Sequence, residues 1–173
     1  PFAASEAVLN VGESDTRVSG ITFRDAPLGV QIVPYLSAST NVQIDACAFR
    51  NCTNGIFRMG GLKNTDGEAV IPALAGSYKL GLDLTGCVFT DCTRGYWFRA
   101  SRTVLDRVSN CVFASNDYGI YDGVIVQESK GHKRPVVHST FVSNRTWAVY
   151  YSASHRPGGV SHYNNAYKGD KGL

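Results

Sequence analysis

The sequence contains no run of about 18 consecutive apolar residues, the length that a membrane-spanning helix requires. It is also poor in net charge, because its 17 Lys and Arg nearly balance its 14 Asp and Glu to leave +3. No run of basic residues is longer than Lys133-Arg134, whereas nucleic-acid-binding chains carry dense basic patches. We therefore predict neither a membrane span nor a nucleic-acid partner.

The 3.6-residue periodicity of amphipathic helices is missing as well, and so are the regularly placed turn dipeptides of β-hairpins. Apolar residues alternate instead in short segments such as Val42-Gln43-Ile44, and polar turns separate these segments. A length of 173 residues fits one domain. We predict a single domain over residues 1–173 that consists almost entirely of short strands.

What the sequence does contain is an internal repeat. Residues 42–59 (VQIDACAFRNCTNGIFRM) return as residues 82–99 (LDLTGCVFTDCTRGYWFR) with two Cys, a Phe, a Thr and a Gly in common. One aromatic residue marks each repeat at intervals of 24 to 28 residues, with a single interval of 40, and the series is Phe23, Phe49, Phe89, Phe113, Phe141 and Tyr167. Three alternating segments in so short a repeat predict one turn of a parallel β-solenoid. The repeats cover residues 18–170, and the long interval holds an inserted loop over residues 60–80.

The repeat reads apolar-x-apolar-x-x-(Cys/Asn)-x-Phe-x-x-(Cys/Asn)-x-x-Gly-apolar-x-apolar. This pattern resembles the right-handed parallel β-helix superfamily, the pectate-lyase-like fold. The resemblance implies an all-β, right-handed parallel β-helix (solenoid) of about six three-stranded coils, at an extracellular location or on a cell or virion surface. It does not select one chemistry, because the fold hosts lyases, glycosidases, esterases, adhesins and phage tailspikes.

Equivalent residues of stacked coils form ladders about 4.8 Å apart. Two ladders are predicted at the bends, one of Ile21, Cys47, Cys87, Cys111, Ser139 and Asn165, the other of Ala26, Cys52, Cys92, Asn116, Asn144 and Asp170. The five Cys are odd in number and lack the C-x2-C spacing of zinc sites. We therefore interpret them as buried, reduced thiols and predict no metal and no cofactor.

Candidate binding residues lie on the strand that follows the repeated Gly. Alternation places Val30, Ile56, Tyr96, Ile120 and Ala148 inside, and turns their neighbours Gln31, Phe57, Trp97, Tyr121 and Val149 outward. Phe57, Trp97 and Tyr121 then form an exposed row of rings that suits the CH faces of sugars. The alternative is that the inserted loop covers these rings as a satellite core.

Basic and imidazole groups follow the same strand in several repeats, and they are Arg99, Arg102, Lys130, His132, Lys133, Arg134, His155 and Arg156. Such a surface would attract an acidic polysaccharide. By resemblance to lyases of the fold, which eliminate a proton beside a neutralised carboxylate, Arg99, Lys133 and Arg134 are the candidate catalytic residues. Arg102, His132 and His155 are further candidates for substrate binding. The chain lacks a recognisable lyase motif, and Asp122, which aligns with Arg58, is interpreted as a buried ion-pair partner.

The sequence thus predicts an extracellular domain that binds polysaccharide, an acidic one included, and that processes it in a lyase-like way if it is an enzyme at all. The alternative is a non-catalytic structural or adhesive assembly module, such as a filament, spike or surface-layer subunit. Self-association through open solenoid ends belongs to that alternative.

Overall fold

The computed structural model describes residues 6–13, 15–32, 41–59, 79–99, 104–122, 134–151, 160–163 and 165–168. Eighteen strands run through these residues, and in chain order they are β1 (Ala7–Val11), β2 (Arg17–Ser19), β3 (Thr22–Arg24), β4 (Leu28–Ile32), β5 (Val42–Asp45), β6 (Ala48–Arg50), β7 (Asn54–Met59), β8 (Lys79–Thr85), β9 (Val88–Thr90), β10 (Arg94–Arg99), β11 (Val104–Ser109), β12 (Val112–Ala114), β13 (Tyr118–Asp122), β14 (Arg134–Val137), β15 (Thr140–Val142), β16 (Trp147–Tyr151), β17 (Val160–Tyr163) and β18 (Ala166–Lys168). None of these residues lies in a helix long and apolar enough to cross a membrane.

The strands form three parallel sheets of six strands each. The first sheet has the order β1-β4-β7-β10-β13-β16, the second β2-β5-β8-β11-β14-β17, and the third β3-β6-β9-β12-β15-β18. Successive strands pass from the second sheet to the third and then to the first, so each circuit of three strands stacks on the one before. The predicted all-β parallel β-helix is confirmed. Within the described residues, five complete coils follow β1 and precede β17 and β18.

A single stack of aromatic rings runs along the inside of the third sheet. Its members are one per coil, namely Phe23, Phe49, Phe89, Phe113, Phe141 and Tyr167, with neighbouring ring centroids 4.7 to 5.0 Å apart and nearly parallel planes. This spacing equals the distance between hydrogen-bonded strands, so backbone pairing and ring stacking reinforce each other. Each stacked pair stabilises the core by roughly 0.5–1.5 kcal/mol beyond its buried area.

The chain turns each corner beside the third sheet through one residue with a left-handed backbone. Before the third sheet these residues are Gly20, Ala46, Gly86, Asn110 and His138, and after it they are Asp25, Asn51, Asp91, Ser115 and Ser143. A single left-handed residue reverses the local chain direction without a long loop. The corners therefore repeat in register from coil to coil, which keeps the side-chain ladders aligned.

Both predicted bend ladders are present through their described members, and hydrogen bonds link several of the Cys, Ser and Asn members; Asp170 lies outside the described residues. In the first, the Cys111 N–H donates to Ser139 Oγ (3.2 Å) and the Ser139 N–H donates to Asn165 Oδ1 (2.8 Å). In the second, the Cys92 N–H donates to Asn116 Oδ1 (2.9 Å), while Asn116 Nδ2 donates to the Phe89 carbonyl (3.1 Å). Asn116, Ser139 and Asn165 thus satisfy backbone groups of the preceding coil.

All five thiols are free and buried, which confirms the sequence interpretation. Their sulfurs take the place that amides take in later coils, as when Cys92 Sγ donates to the Phe49 carbonyl at 3.7 Å. Burial raises the pKa of the Cys47 thiol, because a thiolate would lose its hydration there. These residues serve as small hydrophobic groups with a weak donor.

Glycine is the second residue of four first-sheet strands, at Gly29, Gly55, Gly95 and Gly119. A Cβ on Gly95 would lie 2.6 Å from the Gly119 carbonyl oxygen and 2.9 Å from Cδ1 of Phe113. The glycines therefore let the first sheet approach the ring stack and the next coil closely. The equivalent residue in β16, the last strand of this sheet among the described residues, is Ala148.

Candidate functional site

The outer face of the first sheet carries a row of residues in strict register. From β1 to β16 the row is Asn10, Gln31, Phe57, Trp97, Tyr121 and Tyr150. Its four rings, Phe57, Trp97, Tyr121 and Tyr150, are called here the aromatic ladder. The predicted alignment of Phe57, Trp97 and Tyr121 on one sheet is confirmed.

The rings of the aromatic ladder contact one another from coil to coil. The centroids of Phe57 and Trp97 are 4.5 Å apart, those of Trp97 and Tyr121 are 6.2 Å apart in an edge-to-face arrangement, and those of Tyr121 and Tyr150 are 4.9 Å apart and stacked. Tyr118 adds an edge contact to Tyr121 at 5.0 Å. These contacts fix the ring orientations, so the ladder is a preformed surface.

Exposure changes along the ladder. Trp97, Tyr121 and Tyr150 are partly buried, but Phe57 is only 1% exposed although it does not belong to the core cluster. Leu28 of β4 is likewise fully buried outside that cluster. The outer face is therefore covered at β4 and β7 and becomes accessible from β10 onward. The expectation that Phe57 is exposed is wrong, because alternation predicts the side of a strand and not what packs on that side.

The last ring of the ladder differs from the sequence prediction by one residue. Val149 pairs with Ile120 and is buried in the core, while Tyr150 pairs with Tyr121 on the outside. The bend before β16 contains one residue more than the equivalent bend before β13, and the N–H groups of both Thr146 and Trp147 donate to the Asp117 carbonyl. The extra residue moves the alternation by one position, so the prediction that Val149 faces outward is wrong.

Arg94 completes this surface, and alternation alone did not identify it. Its guanidinium carbon lies 4.7 Å from the ring centroid of Trp97 and 4.9 Å from that of Tyr121, within the range of cation–π interactions. Arg94 Nη1 also donates to Asn54 Oδ1 of the neighbouring coil at 3.3 Å. Asn54 and Arg94 each precede a glycine of a first-sheet strand, Gly55 or Gly95. A Cβ on either glycine would point toward the ring stack, so the residue before the glycine directs its side chain outward. The glycine is therefore the sequence signal for the outward position.

The structure places two of the predicted basic residues in different sheets. Arg99 ends β10 in the first sheet and Arg134 begins β14 in the second, and for both the structure describes the backbone alone. The other six, Arg102, Lys130, His132, Lys133, His155 and Arg156, lie outside the described residues. Their roles, and those of Arg99 and Arg134, stay predictions.

The acidic residues in the described part of the chain give no indication of a metal site. No group of three or more His, Cys, Asp or Glu side chains there is arranged to hold a metal ion. The predicted alignment of Arg58, Phe98 and Asp122 is confirmed by the strand register, and the Arg58 side chain is buried. The pairing of Arg58 with Asp122 stays a prediction.

Four of the described aspartates instead form ion pairs at the surface. Asp45 accepts from Arg17 Nε at 2.8 Å and from the Ser19 hydroxyl at 2.7 Å, and these two hydrogen bonds lower the pKa of Asp45 to about 2. Asp83 accepts from Arg107 Nε at 3.0 Å in the same second sheet. The outer face of the second sheet is therefore a solvated, charge-paired surface, and the aromatic ladder with Arg94 is the candidate site.

Comparisons of the chain with protein-family models, with curated proteins and with solved structures each found no match.

Proposed function

We propose that this chain is a polysaccharide-binding β-helix domain of the pectate-lyase-like kind, which acts outside the cell or on a cell or virion surface. The observation that carries the proposal is the aromatic ladder, whose rings Trp97, Tyr121 and Tyr150 stay partly exposed on one face of the solenoid. Partly exposed rings held in fixed orientations are typical of a contact surface.

The geometry favours an extended chain as the ligand. Ladder positions repeat with the strand spacing of about 4.8 Å and run along the solenoid axis. A linear glycan can lay successive sugar rings against such a row, with their CH faces on the aromatic rings and their hydroxyls toward polar neighbours. A compact small molecule would use one ring, so mutation of each exposed ladder ring distinguishes the two ligand shapes.

Replacement of Trp97 by Ala tests this proposal. We expect weaker binding to a panel of soluble polysaccharides in affinity electrophoresis, with only a modest change in unfolding midpoint, because Trp97 is partly exposed. Val112→Ala, on the outer face of the third sheet, is the control and should bind like the wild type. Unchanged glycan retention by Trp97→Ala would overturn the proposal.

Processing of the glycan is the further part of the proposal, and Arg99, Lys133 and Arg134 are its candidate residues. Incubation of the protein with acidic polysaccharides, followed by the absorbance of unsaturated uronate, tests for β-elimination. Loss of that absorbance in Arg99→Ala, Lys133→Ala or Arg134→Ala would support the assignment. Binding without product would restrict the function to recognition.

The second candidate function is a non-catalytic assembly module. It is favoured by the first and last strands of the three sheets, each of which pairs with one strand only among the described residues and so can add a further strand. Size-exclusion chromatography with light scattering, followed by negative-stain imaging, separates the two candidates. Rods, rings or trimers would support the assembly module, whereas a monomer that binds glycan would support recognition.

A further inference from the structure

Arg94 is partly buried on the outside of the solenoid, where several other arginines also lie. Three of these each meet an aspartate of an adjacent coil through Nε, and the pairs are Arg17–Asp45 at 2.8 Å, Arg107–Asp83 at 3.0 Å and Arg145–Asp117 at 2.6 Å. No described carboxylate lies within ion-pairing distance of Arg94. Its cation–π contacts and its hydrogen bond to Asn54 offset part of the hydration that this guanidinium loses, but no described counter-charge offsets the rest.

The hydrogen bonds of Arg94 are incomplete as well. Its Nε is buried and has no hydrogen-bond partner in the described part of the protein. The same holds for Nδ2 of Asn54, whose residue is fully buried and whose Oδ1 already accepts from Arg94 Nη1. Buried donors are rarely left without a partner, and two on neighbouring side chains indicate a missing acceptor.

The guanidinium of Arg94 lies beside the rings of Trp97 and Tyr121, and its buried Nε lacks an acceptor. Guanidinium groups bind planar oxyanions through two parallel N–H···O bonds. The rings meanwhile hold the side chain in place, which lowers the entropy that binding would cost.

We propose that Arg94 and Asn54 form an oxyanion subsite within the aromatic ladder, which recognises a carboxylate or sulfate group on the bound glycan. This inference rests on the proposed polysaccharide-binding function and assigns its charge preference. Arg94 supplies the charge, Asn54 supplies a neutral donor from the adjacent coil, and Trp97 and Tyr121 orient the guanidinium. Uronate carboxylates and sulfate esters share this chemistry.

Fluorescence from Trp97 provides a local reporter for the subsite. The chain has two tryptophans, so Trp147→Phe leaves Trp97 as the only one. In this background we would titrate a uronic-acid oligosaccharide, its carboxyl-reduced neutral counterpart, and a sulfated oligosaccharide. The acidic ligands should bind more tightly than the neutral one, and the tighter of the two identifies the source of the oxyanion.

Arg94→Gln should weaken binding of the preferred acidic oligosaccharide about 10-fold to 100-fold, as expected for loss of a charge-assisted hydrogen-bonded pair. Binding of the neutral oligosaccharide should stay the same, and Arg94→Lys should give an intermediate loss because it keeps the charge without the fork. Arg107→Gln, which removes an arginine paired with Asp83, is the matched control and should leave all affinities unchanged. A thermal melt of each variant confirms that it is folded.

The outcomes separate this inference from the proposed function. Equal affinity for acidic and neutral oligosaccharides in both wild type and Arg94→Gln would overturn the subsite and leave polysaccharide binding intact. If no glycan binds, the proposed function falls, and the subsite is then tested with free glucuronate and sulfate. Changes in Trp97 fluorescence with these anions that Arg94→Gln abolishes would support the subsite, and no change would overturn it.

Discussion

At the scale of single residues, some corners of the solenoid carry a residue type that the left-handed backbone conformation disfavours. Gly86 and Ala46 occupy the same corner in adjacent coils, with φ of 63° and 51°. The left-handed region suits glycine, whereas a Cβ there costs about 1–2 kcal/mol. Ala46 therefore stores strain that Gly86 avoids.

A reciprocal pair of substitutions tests this point. Ala46→Gly should stabilise the protein by roughly 1 kcal/mol, because the strain it removes outweighs the added flexibility of the unfolded chain. Gly86→Ala should destabilise it by a similar amount, since a Cβ on Gly86 meets no atom closer than 3.9 Å and only the backbone term changes. Urea unfolding measures both, and a destabilised Ala46→Gly variant would contradict the account.

The carboxyl group of Asp45 predicts a response to acid. Hydrogen bonds from Arg17 and Ser19 lower its pKa to about 2, below the ordinary value of 3.8. A carboxyl with a lowered folded-state pKa stabilises the fold above its unfolded pKa, and this contribution is lost as pH falls through the folded pKa. The loss should therefore occur between about pH 4 and pH 2.

Asp45→Asn should flatten the stability curve in that pH window and leave its shape above pH 5 unchanged. The effect should be small and should shrink in high salt, because the pair is exposed. Thermal melts at a series of pH values measure it. Identical acid dependence of stability in the wild type and in Asp45→Asn would contradict the assignment of the Arg17–Asp45 ion pair.

At the scale of elements, the bend ladders explain how one position accepts Cys in early coils and Asn in later ones. Both side chains satisfy a carbonyl of the preceding coil, as Cys92 does for Phe49 and Asn116 for Phe89. Asn116 also accepts the Cys92 N–H. The two residue types are therefore unequal substitutes, and Asn makes the stronger set of bonds.

Substitution of Asn116 measures this difference. Asn116→Ala leaves two backbone groups buried without partners and should destabilise the protein by roughly 2–5 kcal/mol. Asn116→Cys should cost less, because a thiol at this position can donate to the Phe89 carbonyl in the same way that the Cys92 thiol donates to the Phe49 carbonyl one coil earlier. Chemical denaturation of the three proteins compares them, and equal losses for Ala and Cys would show that the hydrogen bonds do not carry the stability.

The repeat pattern was enough to predict the elements, because each coil must satisfy the same geometric conditions. The aromatic at every third-sheet strand and the polar or thiol residue at each bend are visible in the letters, and so was the register of Phe57, Trp97 and Tyr121. The shift at Tyr150 was missed because one extra bend residue changes alternation without disturbing the repeat. The outward position of Arg94 was missed because it depends on close packing of Gly95 against the ring stack.

At the scale of the whole molecule, the solenoid has one continuous core, in which all five cysteines are buried. Each coil contacts mainly the coils next to it, so the stability of a coil depends on the interfaces with its neighbours along the axis. The burial of Phe57 could not be predicted from the sequence. It depends on what packs over the sheet, and no periodicity encodes that.

The buried thiols make cooperativity measurable. A thiol reagent such as dithionitrobenzoate should react slowly with all five cysteines in the native protein and rapidly with five equivalents after unfolding, because the core must open to expose them. A reaction with fewer than five equivalents in denaturant would indicate disulfides and contradict the account. A stepwise reaction during unfolding would show that the coils open separately.

The account's central claim is that the outer face of the first sheet binds polysaccharide, and hydroxyl-radical footprinting tests it most directly. With bound glycan, oxidation of Trp97, Tyr121 and Tyr150 should fall together, while oxidation of Tyr167, which is exposed at the far end of the ring stack, should stay the same. Protection that spares these three rings, or that appears at Tyr167 instead, would place the glycan elsewhere and contradict the claim.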